Sequence, residues 1–138
     1  MEHRANLARI FDNCDAEAVL KSPLGQLIVL EANAFARAAL ARFLSPLYQR
    51  VHAYDCCKAA ESVLATQEMG STDLIVAEIL PEAMSGSRIA RSWRARYPQL
   101  RRVVLATGSD SLPEETASMD AVFRKPFNVQ ELGLFLSS

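Results

Sequence analysis

Five short strand-like segments alternate with helix-forming or polar stretches, and that alternation constrains this chain more than any other feature. The segments are Gln26 to Leu30, Gln49 to Tyr54, Leu74 to Ala77, Arg102 to Ala106 and Ala121 to Arg124. Gln26 to Leu30 is a continuous apolar run, which reads as a strand buried on both faces. Between them, Asn33 to Leu44 is rich in the helix formers Ala and Leu and is closed by Ser45-Pro46. Phe35, Ala39, Leu40, Phe43 and Leu44 recur in it at helical spacing, which predicts that they face the sheet. Lys58 to Gln67 reads as a second helix stopped by Met69-Gly70-Ser71, and Ser87 to Arg96 as a third closed by Tyr97-Pro98. The polar segment Gly108 to Met119 carries at most a short helix, with Pro113 near its first turn. A last helix, capped by Asn128, runs through Leu136. Parallel strands need crossover connections, so this order predicts an α/β doubly wound, five-stranded parallel sheet with helices on both faces.

Residues 1–25 fall outside the alternation. Leu7, Ile10, Phe11, Cys14 and Ala18 form one apolar stripe at helical spacing, which predicts an N-terminal helical extension joined through Ser22-Pro23-Leu24-Gly25 to a domain spanning 26–138. That helix either packs on the same domain or serves for dimerisation or partner docking. The 138 residues are 50% apolar and 22% charged with net charge −1, the composition of one ordinary globular domain. No run reaches the roughly 18 apolar residues of a membrane span, and no signal-peptide region follows Met1, so a cytoplasmic location is expected. Cys14, Cys56 and Cys57 read as reduced thiols, and the adjacent pair as small residues opening a helix. His3 and His52 have no ligand-like spacing to it.

In a doubly wound sheet, reactive groups gather beyond the carboxyl ends of the strands. Glu31, Glu78, Thr107 and Lys125 stand there, after the first, third, fourth and fifth segments. Asp73-Leu74-Ile75-Val76-Ala77-Glu78, the loop that follows, Thr107-Gly108 and Lys125-Pro126-Phe127 together resemble a bacterial response-regulator receiver domain over about residues 26 to 136. The resemblance implies a flavodoxin-like fold, two-component signalling and phosphorelay chemistry. It also implies a site made by Glu31, Ala32, Glu78, Thr107 and Lys125, with the loop glycine at Gly86 and a cis peptide before Pro126.

The departures from that pattern carry chemical consequences. Receivers place two consecutive acids after the first strand, and this chain has Glu31-Ala32. The phospho-accepting aspartate is replaced by Glu78, the usual loop proline by Glu82 with Pro81 before it, and the aromatic switch by Val122, with Phe123 on the opposite strand face. Magnesium is usually held by one or two carboxylates plus phosphate and water, and phosphoryl transfer depends on that positioning. The expectation is therefore an atypical pseudo-receiver, without catalytic residues, metal or other cofactor, which acts through protein contacts. Glu78 either imitates the phosphorylated state through an ion pair with Lys125 and a bond to Thr107, or forms a relict site. The alternatives are an active phospho-receiver, or the receiver fragment of a larger transcriptional regulator.

The expected partners are a protein or output domain, and a second copy through the face of the fourth helical segment, fifth strand and last helix. Arg88, Arg91, Arg94, Arg96, Arg101 and Arg102 cluster around Trp93, and steps of three place the first three on one helix face. A solvated face is the expected reading, an acidic partner the second, and direct nucleic-acid binding is not expected because Asp110, Glu114, Glu115 and Asp120 offset the charge. No membrane partner is expected. A small enzyme on such a sheet would need a phosphate loop, nucleophile elbow or triad, none of which the sequence contains.

Overall fold

The computed structural model describes residues 24–66, 70–80, 84–108 and 118–138. The N-terminal stripe, most of the segment after Gly108, and Pro81 and Glu82 lie outside these residues. The elements are β1 (Leu24–Leu30), α1 (Ala34–Leu44), a 3-10 turn (Ser45–Leu47), β2 (Tyr48–Tyr54), α2 (Cys57–Leu64), β3 (Thr72–Ala77), β4 (Ile79–Leu80), β5 (Met84–Ser85), α3 (Gly86–Arg96), β6 (Leu100–Thr107), β7 (Ala121–Arg124) and α4 (Val129–Ser137). Leu24 and Gly25, expected in the connector, already belong to β1.

The five main strands form one parallel sheet in the order β2-β1-β3-β6-β7. Side chains alternate across it. Leu27 and Val29 point into a core with Leu40, Leu44, Ile75, Val104, Leu132 and Leu136, under α1 and α4. Ile28 and Leu30 point the other way, to Ala60, Leu64, Leu74, Val76, Trp93 and Leu105 under α2 and α3. All six residues of β3 are buried, as a central strand covered on both faces requires.

Three expectations are corrected. Phe35 does not face the sheet but is 90% exposed, and Ala39 is exposed as well. The inward arc of α1 is centred on Leu40 and Leu44, and at 100° per residue Phe35 lies roughly 140° round from Leu40. The second helix ends at Leu64 rather than Gln67, because Thr66 turns its hydroxyl and N–H onto the carbonyl of Val63. β3 and β6 begin earlier than their apolar runs, because Thr72, Asp73 and Arg101 find polar partners inside the fold. The cysteine pair opens α2, with Cys56 at its N-cap position.

Candidate functional site

The chain winds from β1 out to β2 and then back to β3 on the other side, so the topological switch lies where β1 and β3 end. Glu31 follows β1, and its side chain is only 5% exposed. Burying a carboxylate requires partners. Oε1 accepts from Lys125 Nζ at 2.7 Å and Oε2 from the Asn33 N–H at 3.0 Å. Asn33 then caps α1 by accepting from the Ala36 N–H. Ala32 is exposed and supplies no side-chain oxygen.

Glu78 is fixed differently. Its N–H donates to the Ala106 carbonyl, and its carbonyl accepts from the Gly86 N–H. Its carboxylate turns toward the start of α3, where Oε1 accepts from the Ser87 N–H at 3.0 Å and Oε2 from the Ser85 hydroxyl at 3.2 Å. Ser85 is itself the N-cap of α3, and its hydroxyl also bonds that of Ser87 at 2.9 Å. An acid on the first turn of a helix satisfies a free N–H and complements the helix dipole. Gly86 permits the arrangement: a Cβ there would lie 1.8 Å from the Ala77 carbonyl oxygen.

The Glu78–Lys125 ion pair that imitation of the phosphorylated state would use is therefore not formed. Lys125 pairs with Glu31 instead, while the Glu78 carboxylate curls back onto α3. Thr107 is buried at the end of β6, and its carbonyl accepts from the Lys125 N–H at 2.7 Å. The Lys125–Pro126 peptide is cis. Phe123 packs edge-on against Phe127 and Phe135 under α4, whereas Val122 lies on the other face, as the strand alternation predicts. A groove of about 420 Å³ opens between α1 and the start of α4, walled by Ala36, Leu40, Phe127 and Val129 and reaching Glu31 and Lys125.

The arginine cluster disperses. Arg94 leaves the stripe to donate to Asp120 at 2.6 Å, Arg96 pairs with Glu61, and Arg102 bonds the Ser138 carbonyl. Arg88 and Arg91 remain exposed on α3.

Sequence reasoning missed a buried network at the opposite end of the sheet. Asp73, 1% exposed, accepts from the Tyr48 hydroxyl at 2.6 Å, from Arg101 at 2.8 and 3.1 Å, and from the Arg102 N–H at 3.1 Å. Arg101 also donates to the Leu136 carbonyl near the end of α4. Burial pushes the Tyr48 phenol far up, and the neighbouring Asp73 charge adds to it. The signal was an acid opening an apolar strand, where an arginine at the start of β6 lies within reach.

At the level of sequence, no family model and no curated protein matches the chain. Solved structures do. A signal receiver domain of an HD domain-containing protein from Pseudomonas fluorescens superposes with a TM-score of 0.71 at 24% identity, over 84% of this chain and 86% of that one. The chain has the receiver fold. A CheY-like receiver domain from Methylobacillus flagellatus gives 0.68 at 21% identity over 84% and 98% of the two chains. The response regulator TrrA of Thermotoga maritima, in complex with magnesium and beryllofluoride, gives 0.69 at 17% identity over 83% and 97%. Among the described residues, no helix is long and apolar enough to cross a membrane.

Proposed function

We propose that this receiver-fold chain is a two-component signalling module that is not phosphorylated and works through contacts with a protein partner or output domain. The observation that carries this reading is the engagement of Glu78. Both its carboxylate oxygens accept hydrogen bonds from the start of α3, so neither is presented for in-line attack on a phosphoryl group.

The receiver family implies magnesium, and the residues present do not fit it. Of the two carboxylates at the switch point, Glu31 is neutralised by Lys125 and the Asn33 N–H, and Glu78 is turned onto α3. Ala32 offers no ligand. A hard octahedral cation would have to break an ion pair and a helix cap to find two carboxylate oxygens. Glu78 then acts as an anchor for the β3–α3 junction rather than as a phosphate mimic, since the cation a mimic would need is held by Glu31.

The test is incubation with a small-molecule phosphodonor and magnesium, with a phosphorylatable receiver run in parallel. The expected result is an unchanged intact mass for this chain and a phosphoryl adduct on the control. A stoichiometric, hydroxylamine-labile adduct on this chain overturns the proposal.

A further inference from the structure

The outward face of α1 is built unlike that of a solvated helix. Ala34, Phe35, Ala38, Ala39 and Arg42 are all exposed, and four of the five are apolar. Phe35, Ala38, Ala39 and Arg42 follow the spacing of a single helix stripe. One flank of the stripe borders the groove between α1 and α4, so an incoming helix would meet an apolar wall there.

We propose that α1 is a self-association surface, and that a second copy of this chain packs its α1 antiparallel against it about a twofold axis passing between Ala38 and Ala39. A twofold interface must be complementary to itself. In this register Ala38 faces Ala39 of the second copy, and the small side chains let the helix axes approach closely. Phe35 faces the second copy's Arg42, placing a guanidinium over an aromatic ring at each end of the contact. The two Arg42 charges lie about 10 Å apart along the helix axis. A parallel arrangement would instead set Arg42 against Arg42 and leave both phenylalanine rings without a cation. The charge pattern of the stripe thus selects a second copy in one orientation. The contact is small, which makes it a reversible dimer that forms at micromolar concentrations or above.

This inference deepens the contact-based reading of function, yet it does not depend on the phosphorylation state. The phosphodonor experiment reads Glu78, and the association experiment reads α1.

Sedimentation of the chain under reducing conditions, across micromolar to near-millimolar concentrations, should show a monomer–dimer equilibrium. Phe35→Arg brings like charges together and should weaken association at least tenfold. Combining Phe35→Arg with Arg42→Glu should restore it, because each introduced guanidinium then faces an introduced carboxylate. Both positions are exposed, so thermal melts of the variants should match the parent and separate loss of docking from loss of fold. In a background with Cys14, Cys56 and Cys57 changed to serine, Ala38→Cys should cross-link on mild oxidation, and Ser62→Cys on α2 should not. A chain monomeric throughout overturns the proposal. So does a dimer indifferent to Phe35→Arg, or one that the charge exchange fails to rescue.

Discussion

At the scale of single residues, the reach of the Glu78 side chain decides what its carboxylate touches. Its two methylenes carry the acid from the strand end back to the first turn of the next helix. Glu78→Gln keeps the shape and one acceptor oxygen but removes the charge from the first turn of α3. Loss of such a cap costs about 0.5–2 kcal/mol. We expect urea unfolding of Glu78→Gln to report a loss in that range, with no change in the self-association described above. An unchanged midpoint would show that the capping bonds contribute nothing. Asp73 is the more demanding residue. Its carboxylate is buried among four donors from Tyr48, Arg101 and Arg102. Removing one member of a buried ion pair typically costs ~3–5 kcal/mol, discounted here because Arg101 is 34% exposed and can recruit water. Asp73→Ala should still be the most destabilising of the polar substitutions at the two ends of the sheet, read from the same denaturation curves.

Among the elements, the β3–α3 junction depends on a close approach that only glycine allows. A Cβ on Gly86 would overlap a backbone oxygen of Ala77, and neither atom belongs to a flexible side chain. Gly86→Ala must therefore displace either β3 or the first turn of α3. We expect a loss of about 2 kcal/mol or more, in the range of overpacked sites, together with shifted amide resonances for Glu78, Ser85 and Ser87. Resonances that stay in place would show that the junction yields elsewhere. This junction was only half legible in the sequence. The order of strands and helices could be read because the central strands β1, β3 and β6 each carry an apolar run, and the carboxyl ends are marked by Glu31, Glu78, Thr107 and Lys125. The starts of β3 and β6 could not be read that way. Thr72, Asp73 and Arg101 are polar and look like loop, but each satisfies its polar atoms inside the fold. The outward turn of Phe35 was hidden for a related reason. Periodicity locates an apolar arc only to within a residue or two when Ala occupies both faces of a helix. The partner of Lys125 was also beyond the sequence, since choosing between Glu31 and Glu78 depends on side-chain reach.

Across the whole molecule, three titrating groups have separate partners and separate pH ranges, so stability against pH reports on each in turn. Burial, with help from the Arg50 charge, lowers the pKa of His52 on the edge strand β2. The unfolded chain therefore takes up this proton first, and the His52 contribution falls away as pH drops below about 6.5. Asp120, beside the opposite edge strand β7, is raised by burial but lowered more by bonds from Arg94 and the Val103 N–H, leaving it below the usual carboxylate value. Its contribution holds above pH ~4 and is lost as pH falls through its folded value. Tyr48 behaves in the opposite sense. The fold keeps its phenol protonated, whereas the unfolded phenol ionises near pH ~10. Above that point the unfolded state binds fewer protons than the native state, and stability declines. Denaturation midpoints should therefore be level between about pH 7 and 9, with an acid limb in two stages and an alkaline limb above about 10. His52→Gln should flatten the first acid stage and Asp120→Asn the second. Tyr48→Phe should shallow the alkaline limb while lowering stability at pH 7, because Asp73 loses one of its donors. An alkaline limb of unchanged steepness in Tyr48→Phe would place the titrating group elsewhere, and the buried phenol would no longer count among the ties that hold β2 to β3 across β1.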